Sequence, residues 1–463
     1  MVDTRYTSHL NAFPPVQLPS PLTGMEMETG EQRQPQAHRA PYPVQDVLDE
    51  LPPALSNVHL TESEQLRDSR DPRDPLAGYS PQGRRFHESY AQAVADAPQF
   101  TPQVQLHWCK TLLELSQDAE FIREYTINGE KLPQRIADSK TASRNQKIML
   151  EHALKVLSKL IKLRHAPAFY LMGGLYSHKV EGLSRFQFIE RDDARALSCY
   201  ERGARLGHGP SCYRAGLSFE FGRGTPVDTD AAARFYRMGA GASDVDCMYR
   251  LASLFVEKQI SEGIEWYLRA AAQGSPHACF ELGKIYEFSA LTPALQQRLQ
   301  QAFPGESFPQ TTRALQYYYK CAHEHGYSLA QWKLGHCYEF GELGLPVHAK
   351  KSLAWYYASV SGGKSAGTTA NAMGMLGLAG WYFTGVPGVL QPNWQEACKW
   401  VSQCAAHTEG KLARADYILG QFYDSGVGCP RDHHTAQIHY KRALAHGFHR
   451  AAAHIDNTEG AGA

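Results

Sequence analysis

Apolar and aromatic side chains return in two alternating clusters along most of this chain. From about residue 165 a first cluster, apolar–small–x–x–aromatic, recurs seven times: Met172-Gly173 with Tyr176, Ala215-Gly216 with Phe219, Leu251-Ala252 with Phe255, Leu282-Gly283 with Tyr286, Leu334-Gly335 with Tyr338, Leu378-Ala379 with Tyr382 and Leu419-Gly420 with Tyr423. An aromatic often lies two positions earlier, as at Tyr213, Tyr249 and Trp332. Spacings of two to four residues put these side chains on one side of a helix. A second cluster begins at Ala196, Ala232, Gly263, Ala314, Ser352, Ala397 and Ala436 and carries aromatic pairs such as Phe235-Tyr236, Trp266-Tyr267, Tyr317-Tyr318 and Trp355-Tyr356. It predicts a second helix.

The boundaries agree with that pairing. Asp192, Asp228, Asn393 and Asp432 stand four residues before the first alanine of a second cluster, where a side-chain oxygen can cap a helix N-terminus. Glycines at 207, 241, 274, 326, 362, 410 and 447 follow the second clusters and are expected to close those helices in the left-handed conformation. One helix pair cannot bury its apolar side alone, so stability must come from stacking. The expected fold is all-α: a right-handed α-solenoid of stacked antiparallel helix pairs. Its repeat core is expected to comprise Gly173, Tyr176, Gly216, Phe219, Trp266, Gly283, Tyr286, Gly335, Tyr338, Trp355, Tyr382, Gly420 and Tyr423, with Trp266 the buried aromatic of its unit.

Four regions are expected. Residues 1–85 read as a disordered Pro- and Gln-rich arm, too poor in clustered apolar groups to offset the entropy of ordering. Within it, Val44 to Leu55 reads first as a chance apolar cluster and second as a linear docking motif. Residues 86–164 read as a helical cap holding a degenerate repeat, with one helix around Val104–Leu113 and another around Ala153–Ile161. Residues 165–455 hold the seven repeats, and 456–463 a disordered tail. An insertion at 289–310 interrupts the fourth repeat, where Pro293–Phe303 is a candidate extra helix.

These motifs resemble the Sel-type tetratricopeptide-like repeats. Ala415, Tyr417, Leu419-Gly420, Tyr423, Gly426, Gly428, Asp432, Ala436, Tyr440, Ala443 and Gly447 follow that family's unit, including the paired glycines that generic tetratricopeptide units lack. The segments Gly341-Glu342-Leu343-Gly344-Leu345-Pro346 and Ala372–Tyr382 also resemble the fungal chitin synthase regulatory subunits. That resemblance implies a non-catalytic scaffold that activates or localises a membrane chitin synthase for wall or septum chitin, with a chitin synthase catalytic subunit and cortical or septal proteins as partners. A general cytosolic adaptor in signalling or protein turnover is the alternative. Many such regulators end in a prenylation box, whereas this chain ends Glu459-Gly460-Ala461-Gly462-Ala463. Any membrane location is therefore expected to be indirect, through partners, in a cytoplasmic protein.

Composition narrows the chemistry. Lys and Arg number 47 against 47 Asp and Glu, a balance that argues against a general nucleic-acid footprint. No apolar run is long enough to span a membrane, and Met1-Val2-Asp3-Thr4-Arg5 lacks the form of a signal peptide. The ten cysteines show no C-x-x-C and sit mostly where other units carry a small residue, so they read as reduced core residues. No catalytic constellation, cofactor motif or metal site emerges. Binding remains. The residue before the apolar–small pair varies (Arg214, Arg250, Glu281, Lys333), and the one after the first-helix aromatic is often acidic (Glu220, Glu287, Glu339, Asp424). These are the candidate partner-selecting charges; the plainer reading of each is a solvated helix surface.

Overall fold

The computed structural model describes residues 76, 78–95, 101–125, 131, 139–180, 188–361, 370–386 and 388–456. Within them the chain is helical, and β structure is limited to two isolated bridges, Tyr125 to Lys131 and Val386 to Leu390. The arm up to residue 75, with Val44–Leu55, and the tail from 457 lie outside the described residues.

The leading segment contains α1 (Pro81–Ala95), α2 (Pro102–Leu115), the short α3 (Phe121–Glu124) and α4 (Ser139–Lys162). Helix α1 starts ahead of the boundary expected at Phe86, because Phe86 itself is fully buried and rests on Trp108 and Phe121 at ring distances of 5.2 and 5.0 Å. The Tyr125 hydroxyl, accepting from the Ser80 amide at 2.8 Å, holds the start of α1. Helix α4 is longer than its apolar core suggests. It buries Met149, Leu150, Ala153, Leu157 and Leu160 against α2 while its outward side is polar.

Seven helix pairs follow: α5 (Ala166–Tyr176) with α6 (Asp193–Arg205), α7 (Gly209–Phe221) with α8 (Thr229–Gly241), and α9 (Val245–Lys258) with α10 (Ile260–Ala272). The fourth first helix is α11 (Pro276–Glu287); the insertion then forms α12 (Pro293–Ala302), and α13 (Thr311–Glu324) completes the pair. The array continues with α14 (Ser328–Phe340) and α15 (Ala349–Val360), α16 (Ala372–Thr384) and α17 (Trp394–His407), and α18 (Ala413–Ser425) and α19 (His433–Ala445). Each second helix packs on its own first helix, and each of the first six packs also on the first helix of the next unit. The extra helix α12 tucks Leu299, fully buried, beside α10 of the preceding unit.

The caps follow from the side chains. Asp192, Asp228, Asn393 and Asp432 accept from amides at the starts of α6, α8, α17 and α19. His348 plays the same part for α15, its Nδ1 accepting from the Lys351 amide at 3.2 Å. Glycines 207, 274, 326, 410 and 447 hold positive φ as expected. Gly241 does not: it is still inside α8, and Ser243 takes the left-handed position at φ 60°. Aligning Gly239 with Gly203 shows why, since Ser243 then stands where Gly207 stands; Gly362 lies outside the described residues. The second glycine of the loop inside a unit serves the stack. A Cβ on Gly224 would lie 2.3 Å from the Asp193 carbonyl oxygen, and one on Gly428 2.0 Å from that of Trp394. Both glycines also hold φ near +70°, so each loop rests directly on the first turn of the preceding unit's second helix.

The aromatic pair of the third unit is ordered differently from the expectation. Tyr267 is buried, whereas Trp266 is only half-buried, covered by Arg269 at 4.6 Å from its ring. Of the other expected core aromatics, Tyr286, Tyr338 and Trp355 are buried, while Tyr176, Phe219, Tyr382 and Tyr423 are half-buried.

Candidate functional site

Five units are joined internally by one contact, in which a tyrosine of the second helix lies against the glycine of the first. A Cβ would meet the tyrosine ring at 2.6 Å on Gly173 (Tyr200), 2.3 Å on Gly216 (Tyr236), 2.5 Å on Gly283 (Tyr318), and 2.6 Å on both Gly335 (Tyr356) and Gly420 (Tyr440). Glycine is needed here because the ring fills the place a side chain would take. In each of the first five units, the third with Ala252 in place of the glycine, a tyrosine of the second helix offers its hydroxyl to a side chain in the later half or at the C-terminal end of the first helix.

Two of the expected partner charges meet that hydroxyl in the second unit. Tyr236 donates to Glu220 at 2.7 Å, and Arg250, from the next unit's α9, donates to the same carboxylate through Nε at 3.3 Å and again through its terminal nitrogen. Burial alone would weaken the charge on Arg250, but Glu220 and Tyr236 beside it prevail and hold its pKa above the ordinary value. Burial and the Glu220 carboxylate together push the Tyr236 hydroxyl far up, so it remains a donor.

The fourth unit repeats this geometry. Tyr318 donates to Glu287 at 2.6 Å, and Lys333 on α14 donates to it at 2.8 Å. Glu287 is 6% exposed, so this is a buried carboxylate satisfied from both sides. Lys333 also reaches Glu342 at 3.0 Å, where the His336 ring lies at 3.1 Å. The hydrogen bond with His336, then Lys333, outweigh burial and draw the Glu342 carboxyl down to about 2.

The fifth unit breaks the series. Tyr356 donates to Glu339, but Gly377 occupies the place of Arg250 and Lys333 on α16, and a Cβ there would lie 2.6 Å from the Tyr356 ring. Burial raises the Glu339 carboxyl against the opposing influence of Tyr356, His336 and Arg414. Units one and three use serine in place of the carboxylate: Tyr200 meets Ser177 at 3.0 Å and Tyr267 meets Ser253 at 3.1 Å. The remaining expected charges are also engaged. Arg214 reaches back from α7 to bond Tyr170 on α5 of the first unit, whereas Glu281 pairs with Lys284 at 2.8 Å and Asp424 meets His433 at 3.0 Å within their own units.

The variable charges are therefore engaged within the array, and two cation–carboxylate pairs bridge successive units. Sequence reasoning missed the tyrosine hydroxyl as their common anchor. The signal was present: an acid after the first-helix aromatic, followed in the next unit by a cation just before the apolar–small pair.

No group of three or more His, Cys, Asp or Glu side chains that could hold a metal occurs among the described residues. All ten cysteines are free thiols. Burial pushes those of Cys109 and Cys404 up to about 12, so they stay protonated small core residues and are not nucleophiles. Among the described residues no helix is long and apolar enough to cross a membrane.

Glycine-to-tyrosine packing, paired loop glycines and capped second helices define a Sel1-type repeat array. Six segments match the Sel1 repeat model, residues 170–208, 209–244, 245–275, 328–364, 370–406 and 413–448. The chain is a Sel1-repeat protein. The fourth helix pair, split by α12, falls outside the matched segments yet packs Gly283 on Tyr318 as four of the other pairs pack theirs. The chain is 41% identical over 394 residues to Activator of C kinase protein 1 of Saccharomyces cerevisiae, covering 81% of this chain and 62% of that protein. It is 30% identical over 298 residues to Chitin synthase regulatory factor 3 of Schizosaccharomyces pombe, covering 62% of this chain and 29% of that one. The chain thus spans less than two thirds of these relatives' own length. Among solved structures it is similar to a Sel1 repeat protein from Oxalobacter formigenes, at 16% identity and a TM-score of 0.47, covering 79% of this chain and 91% of that one.

Proposed function

We propose that this chain is a non-catalytic scaffold that activates or localises a membrane chitin synthase through protein–protein contacts. The observation that carries this reading is the match to proteins named as chitin synthase regulators in three fungi. The stacked repeats support a holding role: cation–carboxylate pairs join successive units and the first helices present a continuous series of side chains. The first-helix face is the proposed contact surface, including Glu339, whose bond from Tyr356 is joined by no cation at the Gly377 position. Partners follow from the same reading: a chitin synthase catalytic subunit, with cortical or septal proteins beside it, and a cytoplasmic location at the membrane periphery.

A second reading rests on one specific finding, the 41% identity to a protein named as an activator of C kinase. In that reading the array is a signalling adaptor unrelated to chitin. Deleting the gene and measuring wall chitin, together with reciprocal co-purification of a chitin synthase, separates the two. Lower chitin and association support the synthase reading; unchanged chitin with no association removes it.

A further inference from the structure

Positive charge is segregated on one helix of a chain whose formal charges balance. Helix α4 carries Lys140, Arg144, Lys147, Lys155, Lys159 and Lys162 against a single carboxylate, Glu151. All six cations are exposed. At 3.6 residues per turn they fall within a sector of about 120°, opposite the side that buries Met149, Ala153, Leu157 and Leu160. The row runs about 33 Å along the helix at 1.5 Å per residue. Glu151 lies 4.0 Å from Lys147, while Lys155, Lys159 and Lys162 pair with no carboxylate among the described residues. Leu163, 59% exposed, follows directly and adds an apolar tip at the end of the row.

We infer that the outward face of α4 docks on an anionic lipid surface. Six cations on one side of one helix can reach a charged plane together, and each contributes attraction that adds with its neighbours. The exposed leucine beside Lys162 suits the boundary between headgroups and acyl chains. A nucleic acid fits less well, since α4 has no Phe, Tyr or Trp on which a base could stack. This face gives the chain a direct membrane contact, distinct from any delivered by a protein partner on the repeats.

The test is sedimentation of the full chain with vesicles of pure phosphatidylcholine and of phosphatidylcholine with 30 mol% phosphatidylserine. Binding is expected to the mixed vesicles alone and to weaken as salt rises. Lys155→Gln is expected to weaken it about fivefold, and the triple variant Lys155→Glu, Lys159→Glu, Lys162→Glu at least about 100-fold. The substituted positions are solvent-facing, so an unchanged melting temperature certifies the fold of each variant. Binding that ignores phosphatidylserine, or a triple variant that binds like the parent, overturns the inference. So does capture of polyuridylate or polyglutamate by this face while vesicles stay unbound.

Discussion

Replacing Lys333 by methionine probes the joint between the fourth and fifth units. The substitution keeps most of the side-chain stem and removes the charge. Lys333 is 13% exposed and Glu287 6%, so the carboxylate left behind has little water to turn to. Breaking a buried pair by removing one partner costs about 3–5 kcal/mol. Glu287 keeps its 2.6 Å bond from Tyr318, which places the expected cost at the low end, about 3 kcal/mol. Adding Glu287→Gln removes the stranded charge, and the double variant should recover about 2 kcal/mol of that loss. The Glu281–Lys284 pair, some 20% exposed on both sides, sets the scale for an ordinary helix pair; Lys284→Met should cost about 0.5 kcal/mol. Native-state hydrogen exchange of α11, α13 and α14 is the suitable assay, because stability in a repeat stack is partly local. A cost below about 0.5 kcal/mol for Lys333→Met, or strict additivity in the cycle, would refute the idea that this pair locks the joint.

The same structure fixes further outcomes. Gly283→Ala places a Cβ 2.5 Å from the fully buried Tyr318 ring and should destabilise by about 1–3 kcal/mol in chemical melts. Gly380→Ala, with open space around it in α16, should stabilise by about 0.5–1 kcal/mol. Glu342 has a pKa drawn from 4.5 down to about 2; its contribution to stability is present above the ordinary value and lost as pH falls toward 2, so Glu342→Gln should flatten the acid limb of the stability–pH curve. His433, bridging Asp424 and Asp456 at 3.0 and 2.7 Å, has a raised pKa, first through Asp424. Its hold on the last residues is complete below the ordinary 6.5 and lost as pH rises through the elevated value. Exchange protection around Asp456 should fall over that window, and His433→Gln should abolish the dependence.

The repeating elements were legible because each obeys a local rule. Helical spacing reveals the first helices, and an Asp or Asn four residues ahead of an alanine reveals where a second helix begins. Errors arose where the position that matters is set by the neighbouring unit or by exact register. Gly241 drew attention from Ser243 because a glycine stood two residues early. Trp266 was expected inside, yet the buried ring is Tyr267, whose hydroxyl meets Ser253 of the first helix at 3.1 Å. The charges at Glu220, Arg250, Glu287 and Lys333 read as surface variation because their partners lie 30 and 46 residues apart along the chain. The basic row of α4 was hidden in a total charge of zero.

Reciprocal affinity purification from the native cells, with a chitin synthase catalytic subunit as the second bait, tests the scaffold reading most directly. The account predicts that each bait recovers the other and that Lys333→Met, by loosening the array, lowers the yield without altering the synthase itself. Recovery of a kinase with no synthase in either direction, alongside unchanged wall chitin, would contradict it.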